Sequence, residues 1–272
     1  MSRLPSALVT APPLPTLDAP SSRGLDVVRW AGRPAKLARM DRLCALALVA
    51  ADGALLDAGI VVPSAALARI GVVLGTAFGC HATNEAYDAG ARCGAPSPRL
   101  FAYTLPSSAV GEISIHAELT GPVTTVVSGL TAGLDALREA RRHLEAGRAD
   151  RMLVVAADVV TPTLARLGST TPACDAACAL LVDATLPMSG LTRFVAGDSL
   201  QAAERCLAAL DLTCVTQSWA PRALALTLPG ERNDLDDGLL AAAPLAAIRK
   251  ARGVALFVAL DPAGLATAVI LG

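Results

Sequence analysis

A chain of 272 residues is long enough for one large domain or two fused halves, and it can bury a sizeable core. Its net charge of −1, with only 3% aromatic residues, argues against a chain drawn to nucleic acid or to membrane phosphate by bulk charge or base stacking. Charged residues make up 17% and hydrophobic ones 53%, which implies extensive burial, part of it at a subunit interface.

Residues 1–34 are punctuated by Pro5, Pro12, Pro13, Pro15 and Pro20, which leaves no continuous apolar run for a signal peptide. A first strand is expected at Leu25–Trp30. An Ala- and Leu-rich helix follows over 35–58 and stops at Gly59. Strand 70–75 leads into a polar, Gly-containing loop over 76–98 that carries Cys80 and His81. A short helix near 107–118 precedes Gly121-Pro122. Then come strand 123–127, helix 130–146, a turn at Gly147 and strand 152–157, an apolar run expected of a central strand covered on both faces. Strands at 177–183 and 189–195 are expected to close a first half. The second half reads as helix 200–210, strands 213–217 and 222–228, helix 238–250, and strands 254–260 and 266–271. The apolar tracts 43–62 and 253–272 carry Asp52 and Asp57, and Asp261-Pro262, so they read as a buried helix and a closing hairpin rather than membrane spans. A cytoplasmic location is expected. The seven cysteines are irregularly spaced, and the one close pair, Cys174 and Cys178, has no second pair beside it. They read as free thiols in a reducing compartment, with no zinc or other metal site and no cofactor.

The most informative segment is Gly121-Pro-Val-Thr-Thr-Val-Val-Ser-Gly-Leu-Thr-Ala-Gly-Leu-Asp-Ala-Leu137. Five β-branched residues favour a strand. Ser128-Gly129 breaks it, and small residues at 129, 132, 133 and 136 let the following helix sit close to its surroundings. The N-terminus of such a helix can activate a thiolate or hold an anion. This segment resembles the strand-to-nucleophile turn of the β-ketoacyl synthases of the thiolase superfamily, as do Arg69-Ile-Gly-Val-Val-Leu-Gly-Thr76, Ser97–Ser108 and Glu145–Ala157 in the same order.

That resemblance implies a layered α-β-α-β-α thiolase-like fold, with an N-terminal half over 1–195 and a shortened C-terminal half over 196–272. The Gly121-Pro122 register puts Leu130 at the position of the family's catalytic cysteine. The two catalytic histidines expected in the second half have no counterpart, since the histidines are His81, His116 and His143. Leucine can neither attack a thioester nor donate a hydrogen bond from its side chain. The resemblance therefore implies a non-catalytic subunit like the chain-length factors of type II polyketide systems, or like compact partners of aryl polyene pathways. Such a subunit pairs as a heterodimer with a catalytically complete ketosynthase, receives chains from an acyl carrier protein and shapes the acyl tunnel. Phe101, Tyr103, Leu130 and Leu134 are expected at the tunnel, Thr124, Thr125, Val126 and Val127 at the partner interface, and Arg138, Arg141 and Arg142 at the carrier-docking patch.

Each of these groups also has a plainer reading. The arginines form an ordinary solvated helix face offset by Glu139, Glu145 and Asp150. Ser128 reads as a helix N-cap, His116 as a packed residue among Ile113, Ile115 and Leu119, and His143 as part of a solvated face. Cys80-His81 reads as surface loop. The alternative to a non-catalytic subunit is a thioester-acting enzyme of altered chemistry that uses Ser128 or His116.

Overall fold

The computed structural model describes residues 3–13, 23, 25, 37–62, 69–167, 174–221, 228–234 and 237–272. Two five-stranded sheets organise them. The first sheet is built from β1 (Ser6–Ala11), β2 (Ile70–Thr76), β3 (Val123–Val127), β4 (Arg151–Asp158) and β5 (Asp175–Asp183), in the order β1-β5-β4-β2-β3. The second is built from β6 (Met188–Val195), β7 (Gln217–Ala220), β8 (Glu231–Asp234), β9 (Ala255–Asp261) and β10 (Leu265–Leu271), in the order β6-β10-β9-β7-β8. In both, the first two pairings are antiparallel and the last two parallel. The chain therefore carries one topology twice.

Alternate residues of each strand face opposite layers, as the pleat requires. Leu153, Val155 and Ala157 of β4 pack under α1 (Arg42–Asp57) and, beyond the helical segments α2 (His81–Arg92) and α3 (Pro98–Phe101), under α4 (Ser107–Ala117). Met152, Val154 and Ala156 face the middle layer, which holds α5 (Ala132–Glu145). After α6 (Pro162–Leu167) and α7 (Ser199–Ala208), the middle layer is completed by α8 (Ala243–Lys250). Phe257 of β9 points into this same layer, while Leu256, Val258 and Leu260 pack under α7 on the outside. The result is the expected five-layer α-β-α-β-α architecture. The C-terminal half is compact because β7 and β8 have four residues each and are joined by residues 221–230, whereas residues 77–122 join β2 to β3 and hold three helices.

Several elements differ from expectation. The outer strand β1 lies within the proline-punctuated start, and the strand expected at Leu25–Trp30 falls outside the described residues apart from Leu25. Helix α1 begins at Arg42 because the Asp41 carboxylate accepts from the Cys44 N–H at 2.8 Å. The stretch expected as a loop contains α2. Thr83 is its one buried residue, so it has no apolar stripe to read, and it is supported by His81–Glu85 (3.1 Å) and Asp88–Arg92 (2.7 Å) pairs one turn apart. Strand β6, expected to close the first half, pairs with β10 in the second sheet. Strand β7 starts at Gln217 because Asp211 folds residues 211–213 into a turn through the Thr213 N–H and hydroxyl. The strand expected at 222–228 lies outside the described residues apart from Leu228. The helix expected over 238–250 is broken at Leu240 (φ 49°, ψ −130°), and only residues 243–250 are α-helical. Among the described residues no helix is long and apolar enough to cross a membrane.

Candidate functional site

The parallel strands β2, β3 and β4 end side by side, and the carboxyl ends of parallel strands are where layered α/β folds build sites. Strand β3 stops at Ser128. Gly129 takes φ +60°, a 3₁₀ turn covers Gly129–Thr131, and α5 continues from Ala132. Gly129 is required twice over, because its backbone is left-handed and a Cβ there would collide with the carboxylate of Asp261. Gly133 serves the close approach of the 3₁₀ segment Asp237–Ala242, since a Cβ would meet the Ala241 carbonyl.

Leu130, expected from the Gly-Pro register at the nucleophile position, is half-buried against the middle layer. Its backbone N–H donates to Asp261 Oδ2 at 2.9 Å. Asp261 ends β9, and its other oxygen accepts from the Ala263 N–H at 2.9 Å. An internal carboxylate from the last hairpin thus occupies the helix start, where the exposed N–H groups and the dipole favour an anion.

A second carboxylate, Asp135, lies 1% exposed in the first turns of α5. It accepts from Ser128 Oγ (2.7 Å), Thr131 Oγ1 (2.8 Å) and Thr267 Oγ1 (2.9 Å), and Arg193 Nε lies 3.1 Å away. Because Thr267 and Arg193 belong to β10 and β6, this hub ties the first half's central helix to the second sheet. A third, Asp158, ends β4 fully buried. It accepts from Thr76 Oγ1 (2.7 Å) and the N–H groups of Ala77 (2.8 Å), Phe78 (3.2 Å) and Ala241 (3.0 Å). Burial pushes its carboxyl up to about 6, against the lowering effect of those donors. Ala241 follows Leu240, whose positive φ is strained for a side chain of that size.

The structure places the expected site residues as follows. Ser128 is not a side-chain cap. Its hydroxyl donates to Asp135 instead, and that carboxylate is already committed to other donors. His116 lies on the opposite face of the first sheet, with Nε2 3.6 Å from Asp52 Oδ1 of α1. Ser128 and His116 are therefore not brought together. His143 is not solvated: it is 7% exposed, with Nε2 3.3 Å from Thr124 Oγ1 and 3.6 Å from Glu139 Oε1. Cys80 is also buried. Its thiol donates to the Thr104 carbonyl, and burial raises its pKa. Tyr103 packs on the outer cluster of the first sheet, and its hydroxyl donates to Glu112 at 3.0 Å. Burial pushes that phenol up. Leu130 and Leu134 pack in the middle layer, while Phe101 is 63% exposed beside Tyr87. Thr124 to Val127 lie on an outer strand, with Val127 54% exposed and the Thr125 hydroxyl buried without a hydrogen-bond partner. Arg138, Arg141 and Arg142 line a cavity of about 230 Å³ on the flank of α5. Among the described residues, no cluster of His, Cys, Asp or Glu is arranged to hold a metal ion.

Sequence reasoning missed the three carboxylates. Each bears a signal in retrospect: a lone aspartate inside or at the end of an apolar run. Nothing local identifies its partners.

Comparison with known proteins adds the lineage. The β-ketoacyl synthase N-terminal domain profile matches residues 22–176, more than half of the chain. The α subunit of the tetracenomycin polyketide synthase ketoacyl synthase from Streptomyces glaucescens is 34% identical over 134 residues, which cover 46% of this chain and 32% of that protein. Nodulation protein E from Rhizobium leguminosarum bv. trifolii is 34% identical over 126 residues, covering 45% of this chain and 31% of the relative. The matched part thus spans about a third of the length of these curated relatives. A solved structure described as the ishigamide ketosynthase/chain length factor superposes with a TM-score of 0.74 at 26% identity, covering 96% of this chain and 90% of its own. By this profile match, this order of motifs and this fold, the chain belongs to the β-ketoacyl synthase family.

Proposed function

We propose that this chain is a non-catalytic, chain-length-factor-like subunit of a type II polyketide or related fatty-acid-type synthase. It pairs with a catalytically complete ketosynthase and shapes the acyl tunnel of the pair. The observation that carries this reading is the occupied helix start. Leu130 stands where the family's nucleophile is expected, and its N–H is given to the Asp261 carboxylate, so neither a thiolate nor a substrate oxyanion has a place there. The likeness to a ketosynthase/chain length factor over nearly the whole chain supports the same reading. An aryl polyene pathway remains the narrower form of this proposal.

Pairing would use β3. It is an outer strand with Val123 and Val127 exposed, and unpaired strand edges accept another strand. Arg138, Arg141 and Arg142 would receive the acidic acyl carrier protein. Leu130 and Leu134 would wall the tunnel from the middle layer, with Phe101 and Tyr103 contributing from the outer side.

Co-expression with the ketosynthase encoded nearest to it, followed by size-exclusion chromatography with mass analysis, tests the proposal. The expected result is a one-to-one complex whose condensing activity depends on the partner's cysteine. A stable homodimer that ignores the ketosynthase would overturn it. Among the described residues, Ser128 and His116, on which the thioester-acting alternative would rest, face different layers.

A further inference from the structure

Because the chain carries one topology twice, residues of its two halves can be matched. Strands β4 and β9 are the central strands of their sheets, and each ends on an aspartate, Asp158 and Asp261. The Oδ2 of each aspartate accepts from a backbone N–H of the opposite half. Asp261 accepts from Leu130 at 2.9 Å, and Asp158 from Ala241 at 3.0 Å. Leu130 and Ala241 are themselves matched, since each lies two residues before the first residue of its helix, Ala132 of α5 or Ala243 of α8. The two halves are thus latched reciprocally across the middle layer, carboxylate to helix start.

The residues preceding the two donors differ. Gly129 takes φ +60° with no Cβ to oppose it, whereas its counterpart Leu240 is held at φ 49°, ψ −130°. Arg69 and Glu118, the other non-glycine residues with positive φ among those described, are exposed, and Glu118 at ψ 39° sits in the left-handed helical well. Leu240 is buried and lies outside that well, in a region that residues with a Cβ avoid. Its neighbour holds it there. The Ala241 N–H is bound to Asp158, and the Ala241 carbonyl rests on Gly133, where a Cβ would come within 2.3 Å of it. Oδ1 of Asp158 is taken by Thr76, Ala77 and Phe78, so among the described residues Ala241 alone donates to Oδ2. One latch is relaxed and the other is strained, and a single hydrogen bond opposes that strain.

We propose that residues 237–242 form a spring-loaded strap over the start of α5, which opens ahead of the rest of the fold when the Asp158–Ala241 bond is lost. Opening relaxes the backbone at Leu240 and lifts the segment from Gly133. It uncovers the apolar layer that Leu134 shares with Leu239, Ala241 and Ala242. The matching helix start in the first half stays shut, since Gly129 stores no strain to release. The strap acts within one chain, so it stands or falls independently of the pairing and carrier readings above.

The test is amide hydrogen exchange of the full chain, read by mass spectrometry on fragments spanning residues 237–242 and corrected for intrinsic exchange rates. L240A and L240G both delete the buried side chain and differ at Cβ alone, so comparing them separates backbone strain from lost packing. At an unstrained position glycine opens more readily than alanine. Here L240G should be protected about tenfold more than L240A. D158N keeps a carbonyl oxygen for Thr76, Ala77 and Phe78 and turns an amide NH₂ on Ala241. In D158N the same fragments should lose about tenfold or more of their protection, while fragments from β9 and α7 keep theirs. Equal protection in L240A and L240G, or more in L240A, would overturn the proposal, as would a D158N loss spread evenly over the chain. Should D158N fail to fold, the comparison of alanine with glycine alone decides.

Discussion

If Leu130 stands at the family's nucleophile position, as proposed, a cysteine placed there should not by itself be a reactive thiol. In L130C the new sulfur would sit at the start of a helix, an environment that ordinarily lowers a thiol pKa. Here the Asp261 carboxylate already lies 2.9 Å from the backbone nitrogen of that residue. With the sulfur about 5 Å from the carboxylate and an effective dielectric of about 20, the thiolate is repelled by about 3 kcal/mol, or about two pKa units. Both residues are only half-buried, so solvent screening reduces this to about one unit. L130C/D261N removes the charge while its amide oxygen still accepts the residue-130 N–H. The assay is the rate of iodoacetamide alkylation against pH for both variants, with the slower background of the native cysteines subtracted using wild type. The double variant should alkylate about tenfold faster near neutral pH, with its profile displaced to lower pH. Coincident profiles would refute the claim that Asp261 fills the anion position.

Other consequences can be checked independently. Lysine at Val123 and Val127, both exposed on β3, should abolish pairing with a ketosynthase in size-exclusion chromatography and change the melting temperature little. Retained pairing would remove β3 from the interface. Asp158 has a folded-state pKa raised by burial to about 6 from the ordinary carboxylate value of 3.8, so the folded state holds the extra proton. The stability tied to this group is therefore present at low pH and is lost as pH rises through the window from about 4 to about 6, by about 3 kcal/mol. Relative to wild type, D158N should be uniformly weaker at low pH, because Ala241 N–H loses its acceptor, and should lack this slope in urea unfolding across that window. Parallel pH profiles would contradict it. R42M should cost about 3–5 kcal/mol in urea unfolding, because it strands Asp175, which is fully buried and paired with Arg42 at 2.9 Å. A loss below about 1 kcal/mol would mean that the pair is dispensable.

What the sequence disclosed follows the range of the forces involved. The unit from Val123 to Asp158 was legible almost to the residue because strand, turn and amphipathic helix are written in local spacing. Helix α2 was not, because it buries little and leaves no periodic stripe. Strand β8 consists of Glu-Arg-Asn-Asp, residues that disfavour strands, and only its pairing with β7 makes it one. The site was the least legible part. Asp261 meets Leu130 across 131 residues, Thr267 meets Asp135 across 132, and Asp158 meets Thr76 across 82. Pairings of that separation are set by how two sheets stack on one helix, which no window of sequence encodes. Leu130 could be flagged from the Gly-Pro register, but that its N–H is occupied could not.

The repeated topology also bears on the proposed pairing through β3. Since both sheets run in the same order, β3 and β8 are corresponding outer strands at the parallel end of each. In strand β8 Glu231 and Arg232 are exposed, and charge on an edge blocks further strand addition. Strand β3 presents Val-Thr-Thr-Val-Val, with two valines in solvent and a buried, unsatisfied threonine hydroxyl at its centre. The second copy of the topology is thus closed where the first is open. A partner strand arriving at β3 would cover apolar surface beside the helix that carries Leu130, so pairing and the walling of an acyl chain would occur at the same edge of the same sheet.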